Sequence, residues 1–319
     1  MRVLICTQAV DRDDTDLGFF IRWIEEIAKE SEHVLVVCLR KGAHSLPANV
    51  EVISLGERYR LLRALEVCTI AFGRRHEYDA VLVHMNPEYI VAAGWLWRLL
   101  RKRIVLWYTH KSVNAMLRIA SVFANDIFTA SKESFRLASP KIKVVGHGID
   151  TDFFAPDKSI PRGTHVLSAG RLTKSKNHDL IIRAAKKAGR ALRIAGEGSE
   201  RATLEKVAHE EGGDVTFLGG LTQTELRDEY RKAAHFVHAS TTGSMDKVVL
   251  EAVACDCNVI TTTHWLKKYF PVHSVDPTPE AIADAIRNDA RESLDRVDTI
   301  RRDHSLSNLI PKIMQSLQS

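Results

Sequence analysis

Apolar, β-branched runs alternate with amphipathic segments of helix length along the whole chain, and this alternation constrains the fold more than any other feature. The runs predict strands, and the segments between them predict helices. In the first half, strands are expected at residues 2–7, 33–39, 50–54, 79–84, 103–108, 126–130 and 141–145, and helices at 16–30, 58–73, 87–101, 112–124 and 131–138. Strands separated by helices form parallel sheets covered on both faces, so the pattern predicts an α/β protein.

The alternation restarts after a segment with the composition of a linker. Residues 150–163 contain Pro156, Pro161 and Gly163 together with aspartates. Five further strands are expected at residues 165–169, 191–195, 215–218, 235–239 and 258–261. The pattern therefore predicts two doubly wound, Rossmann-like parallel-sheet domains that face each other across a cleft.

The predicted domains are an N-terminal domain over residues 1–150 and a C-terminal domain over residues 151–297. Residues 298–319 are expected to form a terminal helix that packs back toward the first domain. Doubly wound sheets bind ligands beyond the carboxyl ends of their strands. We therefore expect the ligand in the cleft between the domains.

Composition excludes several classes of protein. Apolar residues make up 45% and charged residues 27% of the 319 residues, as in soluble globular proteins. The longest apolar run, residues 89–100, is interrupted by Arg98 and is too short to span a bilayer. The apolar residues 1–6 are followed by acids and are not expected to form a signal peptide. Five cysteines without regular spacing predict reduced thiols and a cytoplasmic location.

The segment from Ser244 to Cys255 predicts a helix whose N-terminus faces a ligand. Ser244 is a suitable N-cap, Asp246 suits the first turn, and Lys247 adds a cation. The unpaired N–H groups and the positive dipole end of such a helix favour a phosphate. Glu251 lies two turns into the helix, where its carboxylate can accept hydrogen bonds from a sugar diol. Phosphate and diol together indicate a nucleotide or nucleotide-sugar, whereas an i, i+4 pair of Glu251 with Lys247 is the structural alternative.

The loops after other strands of the second half carry groups suited to the same ligand. Arg171 and Lys176 follow the first of these strands and can neutralise a diphosphate, although solvated surface cations also explain them. Residues 196–198 read Gly-Glu-Gly, which permits close approach of the backbone to a ligand but also suits a plain tight turn. Gly219 and Leu221 can lay backbone amides and an apolar side chain against a flat base.

Four segments of the second half, in this order, closely resemble the donor domain of retaining, family-4-like glycosyltransferases of the GT-B fold. They are Gly170-Arg-Leu with Lys176, Gly196-Glu-Gly198, Phe217-Leu-Gly219 and Asp246-Lys-Val-Val-Leu-Glu-Ala-Val-Ala254. The first half resembles the family more loosely. Its matching segments are Asp126-Ile-Phe-Thr-Ala-Ser131, Lys143-Val-Val-Gly-His-Gly-Ile-Asp150 and Phe154-Ala-Pro156. The resemblance covers nearly the whole chain.

This resemblance implies transfer of a sugar from a nucleotide-diphosphate-sugar, such as a UDP- or GDP-sugar, to a glycan or lipid-linked acceptor with retention at the anomeric carbon. It implies a donor-binding second domain, an acceptor-binding first domain, no metal and no cofactor beyond the co-substrate. By analogy, His110, Arg171 and Lys176 are catalytic, and Glu251 holds the ribose hydroxyls. Donor contacts are then expected from Gly196, Gly198, Gly219, Leu221, Gly243, Ser244, Met245, Asp246, Lys247, Val248 and Glu251.

The chain departs from the family at one position of this motif. The family often has two glutamates eight positions apart, and Gly243 stands in the place of the first. The missing carboxylate leaves the identity of the sugar open, with Ser244 as one replacement. It also leaves two alternatives open: a non-catalytic nucleotide-sugar-binding protein with a degraded donor site, and a nucleotide-sugar epimerase on the same fold.

An acidic loop follows the first predicted strand and contains Asp11, Asp13, Asp14 and Asp16. Its spacing does not fit a calcium loop, and Asp16 is expected to cap the helix that follows. Asp13 and Asp14 are candidates for binding acceptor hydroxyls, although a structural role explains them equally well. Gly18 would let the start of the helix approach the donor or acceptor.

Cations outnumber acids between residues 58 and 111, where Trp95 and Trp97 lie among them. One interpretation is a surface that holds the protein on anionic lipid at the inner face of a membrane. The alternative is a solvated helix face with one of the tryptophans in the core. Nucleic acid is not an expected partner, because no recognition motif accompanies the cations.

Overall fold

The computed structural model describes residues 1–56, 58–243, 245–268, 273–288 and 295–319. The chain forms two compact units. Unit 1 contains Met1–Gly148 and Leu306–Ser319, and unit 2 contains Ile149–Ser305. Each unit has its own parallel sheet with helices on both faces, so the predicted fold class of two doubly wound α/β domains is confirmed. The roles predicted for the two domains stay predictions.

Unit 1 is built on a seven-stranded sheet with the order β3-β2-β1-β4-β5-β6-β7. Its strands are β1 (Arg2–Val10), β2 (His33–Lys41), β3 (Val50–Ser54), β4 (Ala80–His84), β5 (Arg103–Trp107), β6 (Asp126–Thr129) and β7 (Ile142–Val144). The helices between them are α1 (Phe20–Lys29), α2 (Arg60–Gly73), α3 (Glu88–Leu99) and α4 (Ala115–Phe123). Alternate residues of β1 enter two different cores: Val3 and Ile5 pack with α1, and Leu4 and Cys6 pack with α2, α3 and α4. This two-sided burial explains why the strands are continuous apolar runs.

The helix predicted over residues 131–138 is wrong. The N–H group of Ser134 donates to the Ser131 hydroxyl at 3.1 Å, and the two hydroxyls lie 2.8 Å apart. A side-chain acceptor thus takes a backbone donor at the start of the segment. The chain continues to β7 without forming a helix.

Unit 2 has a six-stranded sheet with the order β10-β9-β8-β11-β12-β13. Its strands are β8 (Val166–Ala169), β9 (Leu192–Ala195), β10 (Val215–Gly219), β11 (His235–His238), β12 (Asn258–Thr261) and β13 (His273–Ser274). Its helices are α5 (His178–Ala188), α6 (Arg201–Glu211), α7 (Gln223–Lys232), α8 (Lys247–Ala254), α9 (Pro279–Asn288) and α10 (Asp295–His304), and short 3₁₀ segments cover Lys174–Lys176 and His264–Lys268. Every strand pair described in both sheets is parallel.

The chain leaves unit 2 after α10 and ends in α11 (Leu306–Gln318), which belongs to unit 1. Residues 298–319 therefore form the end of α10 and all of α11, not one helix. The break lies at Ser305, because Ser305 pairs with Ile149 in a parallel bridge and the carbonyl of His304 accepts from Ile149 N at 2.7 Å. In unit 1, the Ser316 hydroxyl of α11 donates to Asp126 Oδ2 at 2.6 Å.

Arg162, from the predicted linker, fixes the C-terminal ends of two helices in unit 2. Its guanidinium donates to the carbonyls of Tyr230 and Ala233 at the end of α7, at 3.2 and 3.1 Å. It also donates to the carbonyls of Cys255 and Asp256 after α8, at 2.9 and 2.6 Å. The last carbonyls of a helix have no partner within it, so this one cation satisfies four such groups. It thereby holds α8 in place.

Candidate functional site

The order of strands in unit 2 places a topological switch point between β8 and β11. The chain continues from β8 to β9 and β10 on one side of the sheet, and from β11 to β12 and β13 on the other. The loops that leave the carboxyl ends of β8 and β11 therefore diverge, and such a crevice is where doubly wound sheets bind ligands. The first loop contains Arg171 and Lys176, and the second leads to α8.

Glycines pack the loops after β8 and β9 directly against each other. A Cβ atom on Gly196 would lie 2.1 Å from the carbonyl oxygen of Gly170, and one on Gly198 would lie 2.4 Å from that of Leu172. Both glycines also have positive φ, +139° and +157°. The absence of side chains at residues 196 and 198 is thus required by the neighbouring loop. Close approach to a donor stays a prediction for both.

Gly219 and Leu221 follow β10, beside the loop after β9. The N–H group of Gly196 donates to the carbonyl of Gly219 at 2.7 Å, and Gly219 has a φ of +74°. Leu221 is partly buried against the core that includes α8. The predicted contact of these two residues with a base stays a prediction.

Lys176, His238 and Asp246 come together at the switch point, although they lie on three separate segments. Lys176 Nζ donates to Asp246 Oδ2. His238 Nε2, at the end of β11, lies 2.7 Å from the same oxygen, and His238 is only 3% exposed. Burial would raise the pKa of the Asp246 carboxyl, but the hydrogen bond and charge of His238 and the charge of Lys176 outweigh it and lower that pKa below its usual range. Asp246 is therefore a carboxylate at neutral pH.

A second buried histidine lies behind this cluster. His178 begins α5, and its Nδ1 lies 3.2 Å from the Ser168 hydroxyl of β8. Burial, together with the nearby charges of His238 and Lys176, lowers the pKa of His178 to about 4. His178 is thus neutral at pH 7. Sequence reasoning missed both His178 and His238, because a histidine at a strand or helix end gives no pattern of its own.

Arg171 differs from Lys176 in its exposure. Its side chain is exposed, and no hydrogen bond or ion pair holds its guanidinium among the residues that the structure describes. In contrast, the stem of Lys176 passes about 4 Å from the point where a Cβ of Gly170 would lie. Lys176 is therefore a fixed cation of the loop after β8, whereas no described residue holds the guanidinium of Arg171.

The helix predicted to face the ligand begins later than expected. α8 starts at Lys247, and Asp246 is its N-cap residue, without a capping hydrogen bond from its side chain. The predicted cap, Ser244, lies outside the described residues. Gly243 has a φ of +63°, which favours glycine at this position. Met245 is buried, and Val248 packs against the same core as Leu221, so the predicted donor contacts of these two residues stay predictions.

Glu251 lies in the pair that the structural alternative predicts. Its Oε1 lies 2.9 Å from Lys247 Nζ, and its Oε2 accepts from the Tyr230 hydroxyl at 3.4 Å. Glu251 is only 2% exposed, so this pair is not on the surface of the helix. Burial lowers the pKa of the Lys247 ammonium, and the charge of Glu251 opposes that shift. Binding of ribose hydroxyls by Glu251 stays a prediction.

In unit 1, the acidic loop after β1 is held mostly by its own residues. Asp14 Oδ1 accepts from the N–H groups of Asp16 and Leu17, at 3.0 and 2.8 Å, and Asp14 Oδ2 pairs with Arg40 at 2.8 Å. Asp16 was expected to cap the helix, but α1 begins at Phe20, because Asp14 takes the loop N–H groups first. Asp14 therefore has a structural role, and its predicted contact with an acceptor is untested.

Gly18 and Asp13 are the other two predicted acceptor-side residues. A Cβ on Gly18 would lie 2.6 Å from the Asp14 carbonyl and 2.7 Å from that of Arg12, so the loop backbone itself requires glycine. Asp13 is exposed, and its N–H group donates to Asp11 Oδ1 at 3.1 Å. Of the predicted acceptor side chains, only that of Asp13 extends into solvent.

His110, the predicted catalytic residue of the first domain, lies in the loop after β5. It is exposed, and its Nδ1 accepts from the N–H group of Ser112 at 3.0 Å. This bond leaves Nε2 as the ring nitrogen available to a ligand. β5 and β1 lie on either side of β4, so His110 and the acidic loop are at the same edge of the unit 1 sheet.

One group of described residues has the chemistry of metal ligands: His33, Glu51 and Glu77 in unit 1. Arg74 already occupies the space between the two carboxylates. It pairs with Glu51 at 2.6 Å and also with Glu77. The hydrogen bond to Arg74 lowers the pKa of both carboxyls. The group is thus an ion-pair network centred on an arginine.

Comparison with known proteins gives a family match within unit 2. Residues 151–288 match the family described as Glycosyl transferases group 1. This match covers most of unit 2. The match includes the loop with Arg171 and Lys176, the switch point and α8. The predicted resemblance of the second half to glycosyltransferases is therefore confirmed, whereas retention and membership of family 4 stay predictions.

Two curated relatives match part of the chain. The chain is 24% identical over 168 residues to the UDP-N-acetylglucosamine–peptide N-acetylglucosaminyltransferase GtfA subunit of Limosilactobacillus reuteri. It is 29% identical over 140 residues to an N-acetylgalactosaminyltransferase of Campylobacter jejuni that acts on a diphospho-undecaprenol-linked sugar. These matches cover 49% and 41% of this chain but only 32% and 38% of the relatives, so the chain spans about a third of the length of each.

Solved structures share the fold of the whole chain. The Anabaena protein HepE, solved in complex with UDP and glucose, has a TM-score of 0.75 at 18% identity, with complete coverage of both chains. A glycosyltransferase from Rickettsia africae has a TM-score of 0.73 at 14% identity, covering 99% of this chain and 98% of the other. The predicted GT-B fold is confirmed by these neighbours. Identities this low show the fold alone.

Proposed function

We propose that the protein is a glycosyltransferase that moves a sugar from a nucleotide-diphosphate-sugar to a glycan or lipid-linked acceptor. The observation that carries this proposal is the cationic switch point of the glycosyl transferases group 1 domain, where Lys176 and Arg171 lie with the start of α8. Uridine diphosphate is the first nucleotide to test, since the names of relatives in both comparisons contain UDP.

The diphosphate end of the donor is proposed to bind at Arg171, Lys176 and the first turn of α8. An exposed guanidinium can form a fork with phosphate oxygens, and an ammonium adds a point charge. The N–H groups at the start of α8 add the positive end of the helix dipole. These groups would stabilise the charge that develops on the leaving diphosphate, the kind of interaction that contributes most to catalysis. They supply this charge from the chain itself, so we propose a metal-independent reaction.

We propose that the transfer retains the anomeric configuration without a nucleophilic carboxylate from the protein. A double-displacement mechanism needs a nucleophilic carboxylate close to an acid, as in glycosidases. We propose instead that the leaving phosphate accepts the proton of the acceptor on the same face of the sugar. Gly243 supplies no side chain there, so no carboxylate from that position takes part.

The acceptor is proposed to bind to unit 1, at the edge that carries His110 and Asp13. The lipid-linked sugar in the name of the Campylobacter relative makes a membrane-bound acceptor a reasonable choice. The outer surface of α2, α3 and α4 fits this choice, because it exposes apolar side chains beside cations. Leu61 is 80%, Leu99 73% and Trp95 53% exposed, whereas Trp97 is in the core.

We propose that this apolar surface, with the exposed Arg98 and Arg101 at the end of α3, rests on the anionic face of a membrane on its cytoplasmic side. Among the described residues, no helix has both the length and the apolar composition needed to span a bilayer. Five unpaired cysteines suit a reducing compartment. Flotation with vesicles containing anionic phospholipid, compared with neutral vesicles, tests this: equal binding to both would remove the membrane from the proposal.

A second candidate is a binding protein for nucleotide-sugars that does not catalyse transfer. Gly243 favours it, because the carboxylate expected at this place is missing. The pairing of Lys176 with Asp246 also favours it, because a neutralised lysine stabilises the charge on a leaving diphosphate less.

One experiment separates the two candidates. Thermal shift with nucleoside diphosphates and their sugars, in the presence of a chelator, identifies the base; a ligand at a hundred times its Kd adds about 2.7 kcal/mol of stability. Release of the nucleoside diphosphate from the matching sugar is then measured with and without glycan acceptors. Binding with release supports the transferase, binding without release supports the binding protein, and absence of binding contradicts both.

A further inference from the structure

Asp246 places a carboxylate where the domain would be expected to bind an anion. It directly precedes the first residue of α8, and its side chain is 17% exposed. Its Oδ2 accepts from Lys176 Nζ and lies 2.7 Å from His238 Nε2. The side chain does not cap the helix, so its bonds all reach groups outside α8.

These contacts neutralise the charge of Lys176 before any ligand arrives. Lys176 is the fixed cation of the loop after β8, and it is paired with a carboxylate that stays ionised at neutral pH. A diphosphate at the same helix start would meet the negative charge of Asp246 as well as the positive dipole end. The diphosphate and the Asp246 carboxylate carry like charges, and like charges in contact with little water between them repel strongly.

We propose that Asp246 is an internal counter-ion that competes with the donor diphosphate for Lys176 and thereby sets the affinity of the site for nucleoside diphosphates. This inference rests on the proposed function, since it assumes that the diphosphate binds at Lys176. Asp246 is then a specificity-determining residue. It favours ligands whose further contacts compensate for the loss of the Lys176–Asp246 ion pair, such as a complete nucleotide-sugar.

The geometry allows Lys176 to exchange Asp246 for a phosphate while the loop after β11 keeps its conformation. Both donors reach the same carboxylate oxygen, so Asp246 keeps its bond to His238 when Lys176 turns to a phosphate. Gly170 has no side chain beside the stem of Lys176, which leaves room for that turn. A second contact keeps the loop after β11 in place when Lys176 turns away, because the Thr241 N–H group donates to the Ser175 carbonyl at 2.9 Å.

The test is a calorimetric titration with inorganic pyrophosphate and with uridine and guanosine diphosphates, without divalent metal. The variants are Asp246→Asn, which removes the charge, and Asp246→Glu, which keeps it. Asp246→Ser serves as a second neutral variant, because Ser is also a good N-cap. The matched control is Asp214→Asn, which removes one exposed charge at the amino end of β10, the opposite edge of the sheet.

We expect both neutral variants to bind pyrophosphate and one nucleoside diphosphate at least tenfold more tightly than the unmodified protein. Asp246→Glu and Asp214→Asn should change affinity less than twofold. The gain should disappear when Lys176→Gln is added, because the two residues act on each other and not on separate parts of the ligand.

Equal or weaker binding by both neutral variants, in a protein that does bind a nucleoside diphosphate, would overturn the inference and leave the proposed function standing. A gain that persists with Lys176→Gln would also overturn it. If neither the unmodified protein nor any folded variant binds a diphosphate, the proposed function and the inference both fail.

Discussion

The loops at the carboxyl edges of the two sheets differ in how their charged residues are used. In unit 1, Asp14 holds the loop after β1: it accepts two N–H groups of its own loop and pairs with Arg40 of the neighbouring strand. In unit 2, Lys176, His238 and Asp246 come from three segments and meet at one oxygen. A charged loop that only holds its own backbone is structural. A charged cluster assembled from separate segments at a switch point is where we propose a binding site.

The candidate residues of the two units also differ in burial. The cluster of unit 2 is backed by His178, a buried histidine kept neutral by its surroundings, and its helix is fixed from behind by Arg162. Such support holds functional side chains in a defined geometry. The candidate residues of unit 1, Asp13 and His110, are exposed and held only by contacts within two residues along the chain.

The largest expected effect is on turnover when the cluster loses its cation. Lys176→Gln should lower kcat by about 100- to 1000-fold, roughly 3–4 kcal/mol, because a positioned cation stabilises the leaving diphosphate in the transition state. The melting temperature should stay within a few degrees, since Asp246 keeps His238 as a partner. Donor turnover assays on this variant and on Asp13→Asn test the comparison; equal losses in both would contradict it.

Removing the support behind α8 should affect stability before activity. Arg162→Ala removes the charged donor of three carbonyls at helix ends and one of two donors to the Asp256 carbonyl. It should lower the free energy of unfolding of unit 2 by about 3 kcal/mol. Urea unfolding followed by hydrogen exchange would resolve the two units. Arg40→Ala is the matched variant in unit 1, and it should cost about 1 kcal/mol because its ion pair with Asp14 is partly exposed. A loss confined to unit 1 in both variants would contradict this assignment.

His178 gives unit 2 a stability that depends on pH. Its folded pKa of about 4 lies below the unfolded value of 6.5, so the unfolded state takes up the proton first as the pH falls. The contribution of His178 is complete above pH 6.5 and is lost as the pH falls toward 4. Between pH 7 and pH 5 the unmodified protein should lose about 2 kcal/mol more than His178→Gln, as measured by urea unfolding. If the free energy of unfolding falls equally with pH in both proteins, His178 is not buried as described.

The smallest effect is expected where a charged residue only holds its loop. Asp14→Asn keeps an acceptor for the loop N–H groups but weakens the pair with Arg40, and it should cost about 1 kcal/mol. Affinity for the donor and the KM for the acceptor should not change. A rise of tenfold or more in the acceptor KM would make Asp14 a binding residue and remove the contrast between the two loops.

The strands could be predicted from the sequence because their signal is local and strong. Runs such as residues 2–7 and 33–39 are apolar on both faces, which in the structure pack against helices on either side. Starts of helices were harder to predict. α1 and α8 begin at Phe20 and Lys247, later than their candidate caps Asp16 and Ser244 suggest. A polar residue beside an apolar run does not reveal which loop N–H groups another side chain has already taken.

The site was predicted only in part, and the missing part is the one that depends on contacts between distant segments. The family motif marks Lys176 and Asp246 as donor contacts, but their ion pair joins residues 70 positions apart in the chain. His238 joins them from a third segment and fits no motif. Likewise, Gly18, Gly196 and Gly198 suggest close approach to a ligand, whereas the structure gives each of them a neighbouring carbonyl that excludes a side chain.

The central claim is that the switch point of unit 2 binds the diphosphate of a nucleotide-sugar. The most direct test is a metal-free calorimetric titration of the protein and of Lys176→Gln with uridine diphosphate, followed by the other nucleoside diphosphates. The account predicts saturable binding of one nucleoside diphosphate at one site, at least tenfold weaker in the variant. Equal affinity in both proteins, or no binding of any nucleoside diphosphate by the folded protein, would contradict the claim.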